Sequence, residues 1–424
     1  MALGAFGIIT TEFGVIGILP DLAKEFRISI DTAGWLLSAF ALTVALAGPF
    51  TNMLTAKLDR KFIMCLVLGI FVVSNLLSAI ASSFTVLMIA RILPAFLHPV
   101  FWAVAMTAAA KQAGPKDAPK AIAIVMGGLS VATVLGVPLT TYMADLFNWR
   151  ASFVVSAVIN LLAWGALYLF APSMPVNESQ PNPASQIKIL RNVHLWVKLL
   201  ASTIILAGMF ATYGYLAEYL DKVSHMNGAQ ISIMLLVFGG TGILGNWLTG
   251  RALSKNITLT VRLSLVLLVV MHILAYQFGG YFVPMVIILS IWGFIHTGGF
   301  LVANLHLTHD IREPALDFVN SLLPSFFNAG ITIGTLLGGY VIARYGIHAV
   351  IWMTVPLLLL ALGLTYITTP EKRMARAGAV VELQQTEAIV ELQQTEAIGL
   401  PQTEAIVELP PTEVSQRVAI CEQV

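Results

Sequence analysis

The sequence predicts an all-α membrane protein in which twelve transmembrane helices form two pseudo-symmetric six-helix bundles. Three observations carry that prediction. Hydrophobic residues make up 58% of the 424 and charged residues only 11%, where a soluble domain has about 45–50% apolar and about 25% charged residues. Apolar stretches of spanning length recur throughout residues 1–369, and about 20 helical residues are needed to cross the hydrocarbon core. A proline-rich polar stretch, APSMPVNESQPNPASQ, interrupts the series near its middle, as a linker between two bundles would.

Span 1, residues 1–20, lacks the basic lead and small-residue cleavage site of a signal peptide, so it is kept as a helix of the protein. Spans 2 to 6 fall at 32–53, 62–81, 84–110, 121–144 and 151–171. Spans 7 to 12 follow at 196–218, 230–250, 262–279, 281–304, 318–343 and 348–369. Each is expected to be helical because unpaired backbone groups are too costly in lipid. The domains are then an N-terminal bundle, 1–171, a cytoplasmic linker, 172–195, a C-terminal bundle, 196–370, and a cytoplasmic tail, 371–424. From Val380 that tail is acidic and repetitive, VELQQTEAIVELQQTEAIGLPQTEAIVELPPTEV. It has few large apolar residues to build a core, and a low-complexity, disordered segment is expected.

Charge placement orients the chain and excludes several functions. Lys57, Arg60, Lys61, Lys111, Lys120, Arg251, Lys255 and Arg373 lie on one side of the predicted bundle, and the opposite loops hold only Lys24, Arg27, Arg150, Lys222 and Arg344. Basic residues collect in cytoplasmic loops, so both termini are expected there. A formal net charge of +1 with no clustered basic face gives no reason to expect nucleic acid. Cys65 in an apolar run and Cys421 in the tail make neither a disulfide framework nor a thiolate metal site. No His, Asp or Glu cluster has metal-ligand spacing, and no nucleophile and base stand together, so no metal and no enzyme is expected.

The halves carry a faint internal repeat, as in transporters built by duplication. A shift of 198 residues lays VLGVPLTTYMADLFNWRASF (134–153) on TIGTLLGGYVIARYGIHAVI (332–351), pairing Gly136 with Gly334 and Tyr142 with Tyr340. A shift of 194 lays LTAK (54–57) on LTGR (248–251), pairing Lys57 with Arg251. Spans 5 and 11 are thus counterparts, as are the loops after spans 2 and 8.

Four stretches resemble a known family. TEFGVIGILPDLAKEF is similar to a span 1 pattern, and LTAKLDRK resembles the loop signature G-x-L-x-D-R-x-G-R-R, with Lys57, Arg60 and Lys61 at its basic positions but Asn52 and Ala56 at its glycine and aspartate. RILPAFLHPVFWA resembles a span 4 signature opening on an intramembrane arginine, here Arg91, followed by His98 and Trp102. GGLSVATVLGVPLTTYMADLFNWR resembles an antiporter motif through Gly127, Gly136, Pro138 and NWR, with Thr140 and Thr141 at later glycine sites. Over about residues 1–370 the chain resembles the major facilitator superfamily, and within it the twelve-span drug:proton antiporters that include bacterial arabinose, sugar and purine ribonucleoside exporters. The resemblance implies a monomeric protein of the bacterial inner membrane, with lipid and a small-molecule substrate as partners and a proton gradient in place of any cofactor. It also implies that spans 1, 4, 7 and 10 line a cavity, making Phe101, Trp102, Phe210, Tyr213, Trp292 and His296 candidate substrate contacts, and that spans 5 and 11 lie between the halves.

Glu12 and Arg91 stand in otherwise apolar spans, where a charge costs about 2.5–3.5 kcal/mol on insertion scales. Both fall at similar depth, so an ion pair between spans 1 and 4 is expected. It is either a static lock or a proton carrier, with Glu12 taking and releasing the proton beside Arg91. His98, seven residues past Arg91, is expected on the same helix face and serves either proton transfer or packing. Gly127, Gly128, Gly136, Gly330, Gly334, Gly338 and Gly339 make small-residue faces for close helix approach, which the antiporter resemblance places at the seam between halves and which otherwise serve ordinary helix packing. The function expected is proton-coupled efflux of a small organic solute, a sugar, nucleoside or amphiphilic drug, by alternating access. An uncoupled facilitator or importer on the same fold is the alternative, with a membrane enzyme or receptor more distant.

Overall fold

The computed structural model describes residues 1–55, 57–173, 192–309, 311 and 315–367. Ala56, most of the linker, Arg312 and the repetitive tail fall outside the described residues. Twelve helices are long and apolar enough to span a membrane: Ala2–Phe26, Ile30–Thr55, Arg60–Ala79, Phe84–Gly114, Lys120–Leu146, Trp149–Phe170, Val193–Lys222, Gly228–Lys255, Ile257–Phe278, Phe282–Thr308, Leu322–Tyr345 and Ile347–Ile367. They are spans 1 to 12, and no strand occurs among the described residues. Several helices outrun the apolar windows. Span 1 continues past Pro20 to Phe26, because proline fits the first turn of the segment Leu19–Phe26.

Side-chain caps start many of the spans by accepting backbone N–H groups that the first turn leaves unpaired. Asp59 accepts from Phe62 at 2.9 Å, Ser83 from Val86 at 3.3 Å, Asn148 from Arg150 at 3.0 Å and Asn256 from Leu259 at 2.9 Å. Asn227 and Gln230 form a reciprocal capping box at the start of span 8. The outer surface is apolar, unlike that of a soluble protein. Large apolar side chains such as Leu54, Ile80, Phe170 and Trp352 face outward, while Glu12, Arg91, Asn75 and Asn160 are buried, which suits a surrounding of acyl chains.

Spans 1, 4, 7 and 10 are each broken partway. Span 1 passes from α-helix (Ala2–Phe13) through a 3₁₀ segment (Gly14–Ile18) to a second α-helix (Leu19–Phe26). Span 4 stops at Ala95 and restarts at His98, between Pro94 and Pro99. Span 7 breaks between Tyr213 and Leu216, and span 10 at Gly298. Pro94 has no N–H for the carbonyl of Ala90, and the Ser74 hydroxyl donates to that carbonyl at 2.8 Å instead. Span 5 carries a π segment, Ala132–Gly136, just before Pro138, where the proline leaves the Val134 carbonyl without its ordinary donor.

Gly339 of span 11 lies at the seam, against Asp31 of span 2, but the other glycines pack differently from expectation. A Cβ at Gly136 would run into Thr10 of span 1, and one at Gly334 or Gly338 into the Ala207 or Ala211 carbonyl of span 7. These residues therefore seat spans 5 and 11 on spans 1 and 7 inside their own halves, and they do not form the seam between halves. Gly128 and Gly330 do the same against Ala2 and Thr203, while Gly127 has no neighbour within 4 Å. The seam uses other faces: Gly239 of span 8 lies against Thr133 and Val134 of span 5, and Ser38 of span 2 meets Thr335 of span 11, hydroxyl to hydroxyl, at 2.7 Å. Thr140 and Thr141 are explained by the same packing. Their partners in span 1 are Gly14 and Gly17, so the glycine needed for close approach sits on the facing helix.

Candidate functional site

Glu12 is 2% exposed and lies one residue before the end of the first α-segment of span 1. Its carboxylate partner is His98, with Oε2 3.1 Å from Nε2. The expected ion pair with Arg91 does not form. Arg91 donates instead to the backbone carbonyls of Thr11 at 3.1 Å and Glu12 at 3.2 Å. The reason is the helix break: where an α-helix tightens to 3₁₀, carbonyls lose their i+4 donors, and a fully buried guanidinium supplies replacements. Arg91 is flanked by the rings of Phe40, at 5.7 Å, and Phe153, at 6.0 Å. His98 belongs to the second helical segment of span 4, yet it and Arg91 both face Glu12 and Phe40.

Trp102 completes this group, its indole Nε1 lying 3.2 Å from the same His98 Nε2. One ring nitrogen carries either a hydrogen or a lone pair, so the two contacts are alternatives. With hydrogen on Nε2 the imidazole donates to Glu12 and the indole N–H is released. With Nε2 bare, it accepts from the indole or from a protonated Glu12. Proton placement on the pair thus sets which bond holds Trp102.

Three polar residues not singled out in the sequence support the site. The Thr11 hydroxyl accepts from Asn75 Nδ2 and Asn160 Nδ2, both at 3.0 Å, and donates to the Gly7 carbonyl at 2.9 Å. Spans 3 and 6 are thereby tied to span 1 beside Glu12. The available signal was a lone asparagine in each of two apolar runs, SNLL and INLL, since amides in spans usually bond across helices.

In the C-terminal half, four of the six candidate contacts come together. Phe210 and Tyr213 of span 7 pack on His296 of span 10 with ring centroids 6.0 and 4.7 Å away, and Trp292 lies 6.2 Å from His296. Phe238 of span 8, not anticipated, stacks on Tyr213 at 5.2 Å and 19°. Phe101 and Trp102 remain in the N-terminal half, 6.1 Å from each other. The clusters meet through Phe13, next to Glu12, whose ring is 5.5 Å from Phe210.

The loop cations stand apart. Lys57 and Arg60 flank the turn after span 2, Lys61 lies over Tyr168 at 5.6 Å, and Arg251 lies over Trp247 at 3.7 Å in span 8. Pro138 occupies the first turn of Val137–Leu146. The described residues contain no group of three or more His, Cys, Asp or Glu able to hold a metal ion.

Two six-span halves with broken inner helices and a buried polar pair in the first are the architecture of a membrane transporter. Residues 1–315 match the Major Facilitator Superfamily, and the chain belongs to that family. It is 29% identical over 358 residues to "Uncharacterized MFS-type transporter YtbD" of Bacillus subtilis (strain 168), covering 83% of this chain and 90% of the relative. It is 29% identical over 377 residues to "Probable sugar efflux transporter" of Helicobacter pylori (strain G27), covering 88% and 95%. Among solved structures, a bacterial homologue of the human lysosomal transporter Spinster, in an inward-facing and occupied conformation, superposes with a TM-score of 0.68 at 16% identity, over 86% of this chain and 94% of the other. That likeness shows the shared fold.

Proposed function

We propose that the protein exports a small organic solute in exchange for protons, working as a monomer by alternating access of its two halves. The observation that carries this reading is the buried Glu12–His98 contact between two broken spans. A titratable pair inside a membrane protein is costly and marks a functional site, proton relays among them. Here its proton decides which bonds join spans 1 and 4, so loading and unloading it biases the geometry beside the aromatic cluster. The similarity to a relative named as a sugar efflux transporter supports export, and the basic loops support a cytoplasmic position for both termini.

Contacts between the halves include several toward the span ends opposite Met1. Tyr215 of span 7 packs on Gly34 of span 2, Ser38 meets Thr335, and Asp145 packs on Gly228. With the termini in the cytoplasm, these contacts lie toward the outer side, and they must separate to release solute there.

The test is Glu12→Gln, which keeps the shape of the side chain and removes its titration. In proteoliposomes, accumulation of labelled ribose, inosine or tetraphenylphosphonium driven by a pH gradient should vanish, while exchange without a gradient persists. A Glu12→Gln protein that still accumulates solute against its gradient would overturn the proton-carrier role.

A further inference from the structure

Below the contact of Gly128 in span 5 with Ala2 in span 1, the ends of spans 1, 4, 5 and 6 leave a cleft of about 670 Å³, within the range of about 300–1,000 Å³ usual for ligand sites. Its walls are small and apolar. Span 4 supplies Ala109 and Ala113, span 5 Ala121 and Val125, and span 6 Ala166 and Phe170, each pair four residues apart and so on one helix face. Small-residue faces ordinarily draw helices together, but here they leave room. Span 6 lines the cleft from Ala163 to Phe170, roughly 10 Å at about 1.5 Å per residue, a shape that suits an extended chain.

The cleft opens on the outer surface of the N-terminal half. Phe170 and Ile124 at its edge are 82% and 59% exposed, and no described residue of the C-terminal half lines it. Trp164 and Tyr168 stack 5.4 Å apart on the next face of span 6, and such residues gather at headgroup level. The cleft therefore runs from the headgroups toward the acyl region.

Its rim is basic. Lys111 and Lys120 are exposed beside the lining residues Gln112 and Ala121, and Lys120 lies one turn before Ile124 on the same helix face. Lys61 lies over the Tyr168 ring on the far side of span 6 at 5.6 Å. Asp117, in the turn between spans 4 and 5, is the described carboxylate that opposes them. Long lysine stems reach headgroup phosphates at a membrane surface, and basic pockets between span ends hold anionic headgroups.

We infer that this cleft seats one acyl chain of an anionic phospholipid whose headgroup lies on Lys111 and Lys120. The inference takes from the transport reading only the side of the membrane, which places the lipid in the cytoplasmic leaflet. Filling the cleft supplies contacts that its walls otherwise lack, so the lipid steadies the half that carries Glu12 and His98 without crossing the seam.

Native mass spectrometry on the full chain in detergent tests it, with dioleoyl phosphatidylglycerol or dioleoyl phosphatidylcholine added at equal concentration and inorganic phosphate as a bare anion. Wild type should keep one phosphatidylglycerol under activation that strips phosphatidylcholine. Ala121→Phe and Ala166→Phe fill the cleft, and each should cut that retention tenfold or more while the melting temperature without lipid stays within a few degrees. Two variants are used because failure of one to fold leaves the other informative. Lys111→Gln combined with Lys120→Gln should lose the preference between the two lipids. Glu12→Gln should keep the lipid as wild type does, so loss of proton coupling with intact retention spares this inference. Equal retention of the two lipids by wild type, retention unaffected in a folded phenylalanine variant, or a phosphate adduct as stable as the lipid's would each overturn it.

Discussion

Replacing Gly17 by alanine should destabilise the N-terminal half, and replacing Thr141 by glycine as well should remove that particular cost. A Cβ at Gly17 would overlap the Thr141 hydroxyl oxygen and lie 3.0 Å from its Cβ and 3.3 Å from its Cγ2. All three atoms belong to one side chain that is itself fixed by a 2.9 Å hydrogen bond to the Val137 carbonyl, so it cannot swing aside freely. Forcing one methyl into such a contact costs about 1–3 kcal/mol. Thr141→Gly removes every atom of the clash, at the expense of one hydrogen bond worth about 1 kcal/mol and a glycine in helix worth about another. The two single variants should therefore each melt lower than wild type in detergent, and the double variant should be more stable than their sum by about 1–3 kcal/mol, the range seen for residues in contact. Transport should follow the same order, because Gly17 lies one turn beyond the Glu12 site. Strict additivity, or an unchanged melting temperature for Gly17→Ala, would show that spans 1 and 5 are not locked by this contact.

The helix break in span 4 makes a parallel case: Ser74→Ala should cost about 1 kcal/mol by orphaning the Ala90 carbonyl, and should be nearly neutral in a Pro94→Ala background where the backbone N–H returns. Thermal melts of the four proteins check this, and equal losses in both backgrounds would refute it. Arg91→Ala should fold poorly, losing two charge-assisted bonds to carbonyls at about 1.5–3 kcal/mol each; a folded yield equal to wild type on size-exclusion chromatography would argue against the role assigned to it. Ser38→Ala with Thr335→Val removes the hydroxyl contact between halves and should raise alkylation of a cysteine introduced at Leu37 from the face opposite Met1 about fivefold, the effect of roughly 1 kcal/mol. Unchanged labelling would place the seam elsewhere.

What the sequence by itself determined is what hydrophobicity, charge and spacing encode. Twelve spans, their helical state and the family could be read because lipid admits few backbone solutions and rewards long apolar windows. Glu12, Arg91 and His98 stood out because charge and imidazole are expensive among such neighbours. Only the tertiary structure decided who pairs with whom. Depth along two helices allowed Glu12 to reach Arg91, yet the break after Phe13 exposed carbonyls that claimed the guanidinium and left the carboxylate to His98. Likewise Gly136 and Gly334 announced close approach without saying to which helix, because a missing side chain has no direction in a sequence. Their rotation about the helix axis turned them to spans 1 and 7. Thr140 and Thr141 read as departures from a glycine motif until the facing Gly14 and Gly17 accounted for them: close packing needs one small residue per contact, and either helix can supply it.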